Sequence, residues 1–166
     1  MRRLTLVRHA RAEAGQPGGT DFDRHLDRRG LVEAADLAYR LAAAGLLPDI
    51  VLASPAPRAL DTAQILAREL RLPAGRLEEE PVLYLADPDV ILERVRRLPV
   101  AACHVLVVGH NPGISDCARH IARDAFLPEL PTAGACSIAL AATDWDSAPD
   151  AAPAEVFLEP ARVAAS

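Results

Sequence analysis

Arginine and histidine residues follow three apolar segments of the sequence, in each case close to the point where the segment ends. Arg8 and His9 follow the first segment, Arg58 lies shortly after the second, and His110 follows the third. A neutral imidazole nitrogen is a nucleophile, whereas a guanidinium group donates paired hydrogen bonds to the oxygens of a phosphate or carboxylate. These residue types together indicate a site that binds an oxyanion and can attack it.

The three apolar segments are typical of strands that are buried on both faces. They comprise residues 4–7, 50–53 and 105–108, and polar residues do not alternate with apolar ones within them. Helical patterns lie between them, so the sequence predicts parallel strands with helices on both sides. Ligands of such sheets bind beyond the carboxyl ends of the strands. The arginines and histidines are therefore expected to meet at the carboxyl ends of the parallel strands.

A helix is predicted between the first two strands. Asp27 is a suitable N-cap residue, and the helical pattern continues to about Ala44, before Gly45. Leu31 belongs to the apolar stripe of this pattern, whereas Glu33 lies on its polar side.

Three further helices are indicated by prolines at their starts. One helix follows Pro57, and two others are predicted at Asp87-Pro88 and Asn111-Pro112. In the last two, a capping residue precedes a proline, which is typical of the first turn of a helix. The helix at Asn111-Pro112 is expected to continue to about Ala122.

The end of the chain predicts an antiparallel hairpin at one edge of the sheet, formed by residues 136–141 and 155–158. Residues 78–80 are interpreted as a solvated turn. The predicted fold class is thus a three-layer α/β/α domain with a mostly parallel central sheet and an antiparallel edge. It is expected to be a single domain over residues 1–166, with a loosely ordered tail after about residue 160.

The composition excludes several classes of phosphate chemistry. All 18 basic residues are arginine, and without lysine the chain cannot form a Walker-A loop, a Schiff base or the usual kinase site. A net charge of −5 argues against a nucleic-acid partner. No segment has the pattern of a membrane span or a signal peptide, and the three cysteines lack Cys-x-x-Cys spacing. A cytoplasmic protein without a membrane partner is expected.

Four segments resemble the motifs of the histidine phosphatase superfamily, in the same order along the chain. Residues 6–10, Leu-Val-Arg-His-Ala, are similar to its Arg-His-Gly signature, and residues 23–30 resemble its D-x-R-P-L-T-x-x-G segment. Residues 51–63 are similar to its S-P-x-x-R-A-x-x-T-A block, and residues 107–112 resemble the block with its second histidine. The resemblance is strongest to small bacterial phosphohistidine phosphatases of the SixA type, and it implies a phosphoglycerate mutase-like fold.

The resemblance also implies a role for each matching residue. His9 would be the nucleophile that accepts the phosphoryl group, while Arg8, Arg58 and Arg24 would bind its oxygens. His110 would hydrogen-bond the same oxygens and can be cationic when it does. The arginines favour the neutral form of His9, and fixed donors around the three equatorial oxygens can replace magnesium. No cofactor and no metal are therefore expected.

The general acid of many superfamily members cannot be assigned from the sequence. Glu79, Glu80, Tyr84 and Asp87 lie in the corresponding region, but no motif selects one of them. A leaving imidazole needs far less protonation than an alkoxide. A site without a strong acid therefore suits phosphohistidine as the substrate.

The sequence thus predicts a metal-independent phosphatase that hydrolyses protein phosphohistidine through a covalent intermediate on His9. The partner would be a phosphorylated protein, such as a histidine phosphotransfer protein, or a small phosphate ester. Two alternatives stay open: a small-molecule phosphomonoesterase on the same site, and a phosphate-binding module without turnover. For Arg24, the alternative role is a surface salt bridge to Asp21 or Asp23.

Overall fold

Six strands form one sheet in a computed structural model that describes residues 1–147 and 154–159. They are β1 (Arg2–Arg8), β2 (Ile50–Ala53), β3 (Leu77–Glu79), β4 (His104–Gly109), β5 (Ala135–Leu140) and β6 (Ala154–Leu158). The order across the sheet is β3-β2-β4-β1-β5-β6. The first four of these strands run parallel to one another, and β5 and β6 form the antiparallel edge. The predicted fold class is confirmed.

Helices cover both faces of the sheet. They are α1 (Arg28–Ala43), α2 (Pro57–Glu69), α3 (Pro88–Arg96) and α4 (Gly113–Ala122), with a short 3-10 helix at Pro81–Leu83. Alternate residues along the parallel strands enter two apolar cores. Leu6, Leu52 and Val107 pack with α3 and α4, whereas Val51 and Val108 pack with α1 and α2. Each such side chain contributes roughly 1.5–3 kcal/mol by its burial, so both helix layers are fixed to the strands that carry the site.

The N-terminus of α1 is capped as predicted, but the buried face of the helix differs from the prediction. Asp27 accepts a hydrogen bond from the main-chain nitrogen of Gly30 at 2.7 Å. Leu31 is 48% exposed, whereas Glu33 is only 8% exposed. The Glu33 carboxylate can be buried because it accepts hydrogen bonds from the main-chain nitrogen of Arg11 and from the Thr132 hydroxyl. The buried side of α1 therefore includes Glu33, which is hydrogen-bonded to two loops, and does not include Leu31 as expected.

Two other predictions need correction. Residues 78–80 were predicted to form a turn, but Leu77–Glu79 form strand β3, which pairs in parallel with β2. The fourth helix begins at Gly113 and not at Pro112, which is its N-cap residue. The expected tail after residue 160 lies outside the described residues. Within the described part of the chain, no helix is both long and apolar enough to cross a membrane.

Candidate active site

His9 directly follows β1, and main-chain hydrogen bonds hold it at the carboxyl-terminal end of the parallel strands. The main-chain nitrogen of His9 donates to the main-chain oxygen of Gly109 at 3.1 Å, and its main-chain oxygen accepts from the main-chain nitrogen of Ala133 at 3.2 Å. Its ring nitrogen Nδ1 lies 2.7 Å from the Ala10 oxygen. Since a carbonyl oxygen only accepts, Nδ1 carries the proton, and the lone pair of the neutral ring is on Nε2.

The pKa of His9 is lowered from 6.5 to about 4. Burial is the largest cause, because an imidazolium is poorly solvated there, and the hydrogen bond to Ala10 partly opposes it. The positive charges of Arg58, Arg8 and Arg24 lower the pKa further. The sequence predicted the effect of the arginines but not the larger effect of burial. His9 is consequently neutral near pH 7, as a nucleophile must be.

His110 directly follows β4, one strand away from His9. The centroids of the two rings are 5.2 Å apart. Nε2 of His110 lies 2.7 Å from the hydroxyl of Ser54, the residue after β2. When Ser54 donates this hydrogen bond, the proton of the neutral His110 ring is on Nδ1. That atom is buried and has no partner among the described residues, so it is available to donate to an oxyanion.

The pKa of His110 is lowered to about 3, so its ring is neutral in the empty site. Burial is again the largest cause, followed by repulsion from the His9 ring, which is protonated before His110 as pH falls, and from Arg58. The negative charge of Asp21 raises the pKa of His110 and so partly opposes these effects. A bound dianion would act in the same sense as Asp21 and would favour the cationic form.

Arg58, in the first turn of α2, is 3% exposed and directs its guanidinium toward the loop between β1 and α1. Its Nη1 donates to the main-chain oxygen of Asp21 at 2.6 Å, and its Nη2 donates to the Asp21 carboxylate at 2.9 Å. Thr62 accepts from the Ala10 nitrogen at 3.0 Å and donates to the Arg58 oxygen at 2.7 Å. Thr62 thereby connects the His9 segment to the helix that carries Arg58.

Arg8 and Arg24 reach the same cavity from two other directions. Arg8 Nη1 donates to the Leu130 oxygen at 3.2 Å, while its Nε is buried without a partner in the described part of the chain. Arg24 Nε donates to the Glu13 oxygen at 2.7 Å, and its Nη1 donates to Asp21 at 2.9 Å. The salt bridge between Arg24 and Asp21 is therefore present, and it lies within the cavity.

The cavity has a volume of about 300 Å³, and the structure brings all five predicted site residues to its wall. Its described lining comprises Arg8, His9, Arg24, Arg58 and His110, together with Arg11, Ala12, Asp21, Leu85, Asn111 and Thr132. Four guanidinium groups and two imidazoles thus surround a space large enough for a phosphoryl group. Among residues 1–147 and 154–159, no group of three or more histidine, cysteine or acidic side chains is placed to hold a metal ion.

The candidate general acids lie outside the lining of this cavity. Glu80 pairs with Arg94 and lies in a larger depression of about 780 Å³ beside α3. Tyr84 contacts the His110 ring edge-on, with centroids 5.5 Å apart. Asp21 is the one carboxylate in the described lining. Its pKa is lowered, chiefly by the hydrogen bond from Arg24, so it is ionised near neutral pH.

Four residues around the site were not recognised as functional from the sequence: Ser54, Thr62, Asp21 and Glu33. Ser54 and Thr62 lie within the segment that resembles the S-P-x-x-R-A-x-x-T-A block, which is a usable signal. Asp21 was considered only as a surface partner of Arg24, because its contact with Arg58 joins residues that are 37 positions apart. Glu33 contacts Thr132 across 99 positions, and no local pattern marks such a contact.

Comparison with known proteins identifies sequences and folds that are similar to this chain. The model of the histidine phosphatase superfamily (branch 1) matches residues 4–79. An uncharacterized chloroplastic protein of Arabidopsis thaliana is 39% identical over 61 residues, which is 37% of this chain. The matched segment spans only 28% of that relative.

Solved structures extend the similarity to nearly the whole chain. SixA from Agrobacterium tumefaciens has a TM-score of 0.81 and 26% identity, and the match covers 96% of this chain and 98% of that one. A protein histidine phosphatase SixA complexed with tungstate shares the fold with a TM-score of 0.81 and 23% identity, over 95% of this chain and 97% of that one. Residues 4–79 thus match the histidine phosphatase superfamily. Over nearly its whole length, the chain is similar to the SixA proteins in fold and size.

Proposed function

We propose that this protein is a phosphatase that hydrolyses protein-bound phosphohistidine through a phosphorylated His9. The observation that carries the proposal is the state of His9. Its proton is fixed on Nδ1 by Ala10, its pKa is about 4, and its ring borders a cavity lined by four arginines and His110. A neutral nucleophile beside several fixed cations is what phosphoryl transfer requires.

In the first step, Nε2 of His9 attacks phosphorus while the bond from phosphorus to the substrate nitrogen breaks. The electron pair of that bond remains on the leaving imidazole, which takes a proton from water. In the second step, water attacks phosphorus and loses a proton to the hydroxide left by the first step, while the bond to Nε2 breaks, so that inorganic phosphate leaves and His9 returns to its neutral form. Arg8, Arg24, Arg58 and His110 would hold the phosphoryl oxygens throughout, and no metal ion takes part in this proposal.

The choice of phosphohistidine depends on the leaving group. Asp21, the carboxylate in the described lining, is ionised near neutral pH because its hydrogen bond with Arg24 lowers its pKa. An ionised carboxylate cannot protonate an alkoxide. An imidazole, with an ordinary pKa of about 6.5, leaves with much less assistance. The site therefore favours a phosphorus–nitrogen bond over an alkyl phosphate ester.

The experiment is phosphate release from an N-phosphorylated histidine peptide in EDTA by wild type, His9→Ala and His120→Ala. His120 is an exposed residue of α4 that does not line the cavity, so its variant is the matched control. We expect His9→Ala to lose on the order of 10⁴-fold or more in rate, and His120→Ala to retain wild-type activity. Steady turnover by His9→Ala would contradict the mechanism.

A sugar phosphate assayed in parallel tests the substrate class. Faster hydrolysis of the sugar phosphate than of the peptide would favour a small-molecule phosphomonoesterase. Binding of phosphate without hydrolysis of either compound would favour a binding module. Loss of wild-type activity in EDTA, restored by a divalent cation, would contradict metal independence.

A further inference from the structure

We propose that the Asp21 carboxylate occupies the position of two substrate oxygens in the empty site, and that it weakens the affinity of the site for inorganic phosphate. The proposal rests on the proposed function only in that the cavity must bind an oxyanion. It assigns Asp21 as a residue that determines affinity and product release, acting through the two arginines that it contacts.

The two oxygens of Asp21 contact two different guanidinium groups. Oδ1 accepts from Arg24 Nη1 and Oδ2 accepts from Arg58 Nη2, both at 2.9 Å. A phosphoryl group that bridged the same arginines would use two of its oxygens in the same way. The carboxylate and a bound phosphate therefore compete for the same donors.

Both arginines are held independently of this carboxylate. Arg58 Nη1 donates to the main-chain oxygen of Asp21 at 2.6 Å, and Arg24 Nε donates to the main-chain oxygen of Glu13 at 2.7 Å. These two bonds use other nitrogen atoms than the carboxylate does. The carboxylate can consequently leave while both guanidinium groups keep their orientation.

The exposure of the two partners indicates which of them moves. The Arg58 side chain is only 4% exposed, so its charge needs an anionic partner in every state of the site. The Asp21 side chain is 55% exposed and can rotate toward solvent when a phosphoryl group arrives. Asp21 thus neutralises Arg58 in the empty site and returns when phosphate departs.

Asp21 also sets the net charge of the cavity. Arg8, Arg24 and Arg58 supply three positive charges, the histidines are neutral and Asp21 supplies one negative charge. The fourth arginine of the lining, Arg11, is paired with Asp27 at 2.9 Å, so two positive charges remain uncompensated. They match in magnitude the two negative charges of a phosphate dianion. Without Asp21 the cavity would retain one more positive charge, and a dianion would be bound more tightly and released more slowly.

The test is calorimetric binding of inorganic phosphate to wild type, Asp21→Asn and Asp23→Asn at fixed ionic strength, at a pH where phosphate is a dianion. Asp23 is an exposed carboxylate of the same loop that bonds Thr20 and no arginine of the cavity, so its variant controls for the change in net charge. We expect Asp21→Asn to bind phosphate about tenfold more tightly, after allowance for solvent screening, and its affinity to depend more steeply on salt. Asp23→Asn should bind like wild type.

The direction of the change separates this role from a structural one. A residue that merely supported the loop would weaken phosphate binding when replaced, so equal or weaker binding by Asp21→Asn would overturn the proposal. Asp21→Ala keeps the main-chain oxygen that holds Arg58 and should also bind more tightly. If the peptide is not hydrolysed but phosphate binding tightens in both variants, only the proposed substrate fails. If no variant binds phosphate, the oxyanion site itself is refuted.

Discussion

The neutral state of His9 depends on burial, and His104 allows this cause to be tested away from the cavity. His104 begins β4, at the opposite end of the strand from His110, and is 8% exposed. Burial lowers its pKa from 6.5 to about 4, the same value and the same main cause as for His9. Its Nδ1 donates to the Leu47 oxygen at 3.0 Å. His104→Asn keeps a donor near this oxygen but cannot be protonated.

The expected effect of this substitution is a weaker dependence of stability on pH. As pH falls below 6.5, the unfolded chain takes up a proton at His104, whereas the folded chain does so only near pH 4. The free energy of unfolding must therefore fall through this window. Linkage gives a loss of about 2 kcal/mol for one such histidine between about pH 7.5 and about pH 5, and the variant should be spared this loss.

Urea unfolding followed by circular dichroism at both pH values measures the effect. The quantity is the change in free energy of unfolding between the two pH values, compared between wild type and variant, so any pH-independent cost of the substitution cancels. His25→Asn is the control, because the hydrogen bond to Asp61 raises the pKa of this exposed histidine and its removal cannot produce the same gain. Equal pH dependence in wild type and His104→Asn would refute burial as the cause.

Two further substitutions test how the site is supported. Ser54→Ala should reduce kcat/KM on the phosphohistidine peptide about tenfold, because His110 loses the hydroxyl 2.7 Å from its ring. Ser137→Ala, which replaces a buried serine of β5, is the control. An unchanged rate for Ser54→Ala would show that this contact is dispensable. Gly113→Ala should lower the free energy of unfolding in urea by about 2–3 kcal/mol, because an added Cβ would lie 1.8 Å from the Ala86 oxygen. Gly15→Ala, where a Cβ meets nothing within 4 Å, should be near neutral, and similar stability of the two variants would contradict the close approach.

The sequence predicted the centre of the sheet and the ends of its strands because these depend on local patterns. Apolar segments without alternation marked β1, β2 and β4, and the residues after them, such as His9 and His110, line one cavity as expected. β3 was missed because Leu77–Glu79 contains two glutamates and its pairing with β2 supplies the order that its composition does not. An edge strand of three residues has little burial to reveal it.

The polar contacts of the site could not be predicted for a different reason. Asp21 and Arg58, like Glu33 and Thr132, are distant in the chain and meet only after the loops have packed on the sheet. A charged residue in a helical pattern is ordinarily assigned to the solvent face, as Glu33 was. Its burial becomes favourable only because both hydrogen-bond donors are already in place.

The pairing of β1 with β4 has a consequence for the diversification of such sites. His9 and His110 directly follow these neighbouring strands, in which Arg8 lies opposite Gly109. Adjacent strands are spaced about 4.8 Å apart, close to the 5.2 Å that separates the two imidazole rings. Main-chain hydrogen bonds thus fix the histidine spacing, whereas Asp21 lies on a loop outside the sheet. Divergence toward other phosphate compounds is expected to alter that loop while the histidine spacing stays constant.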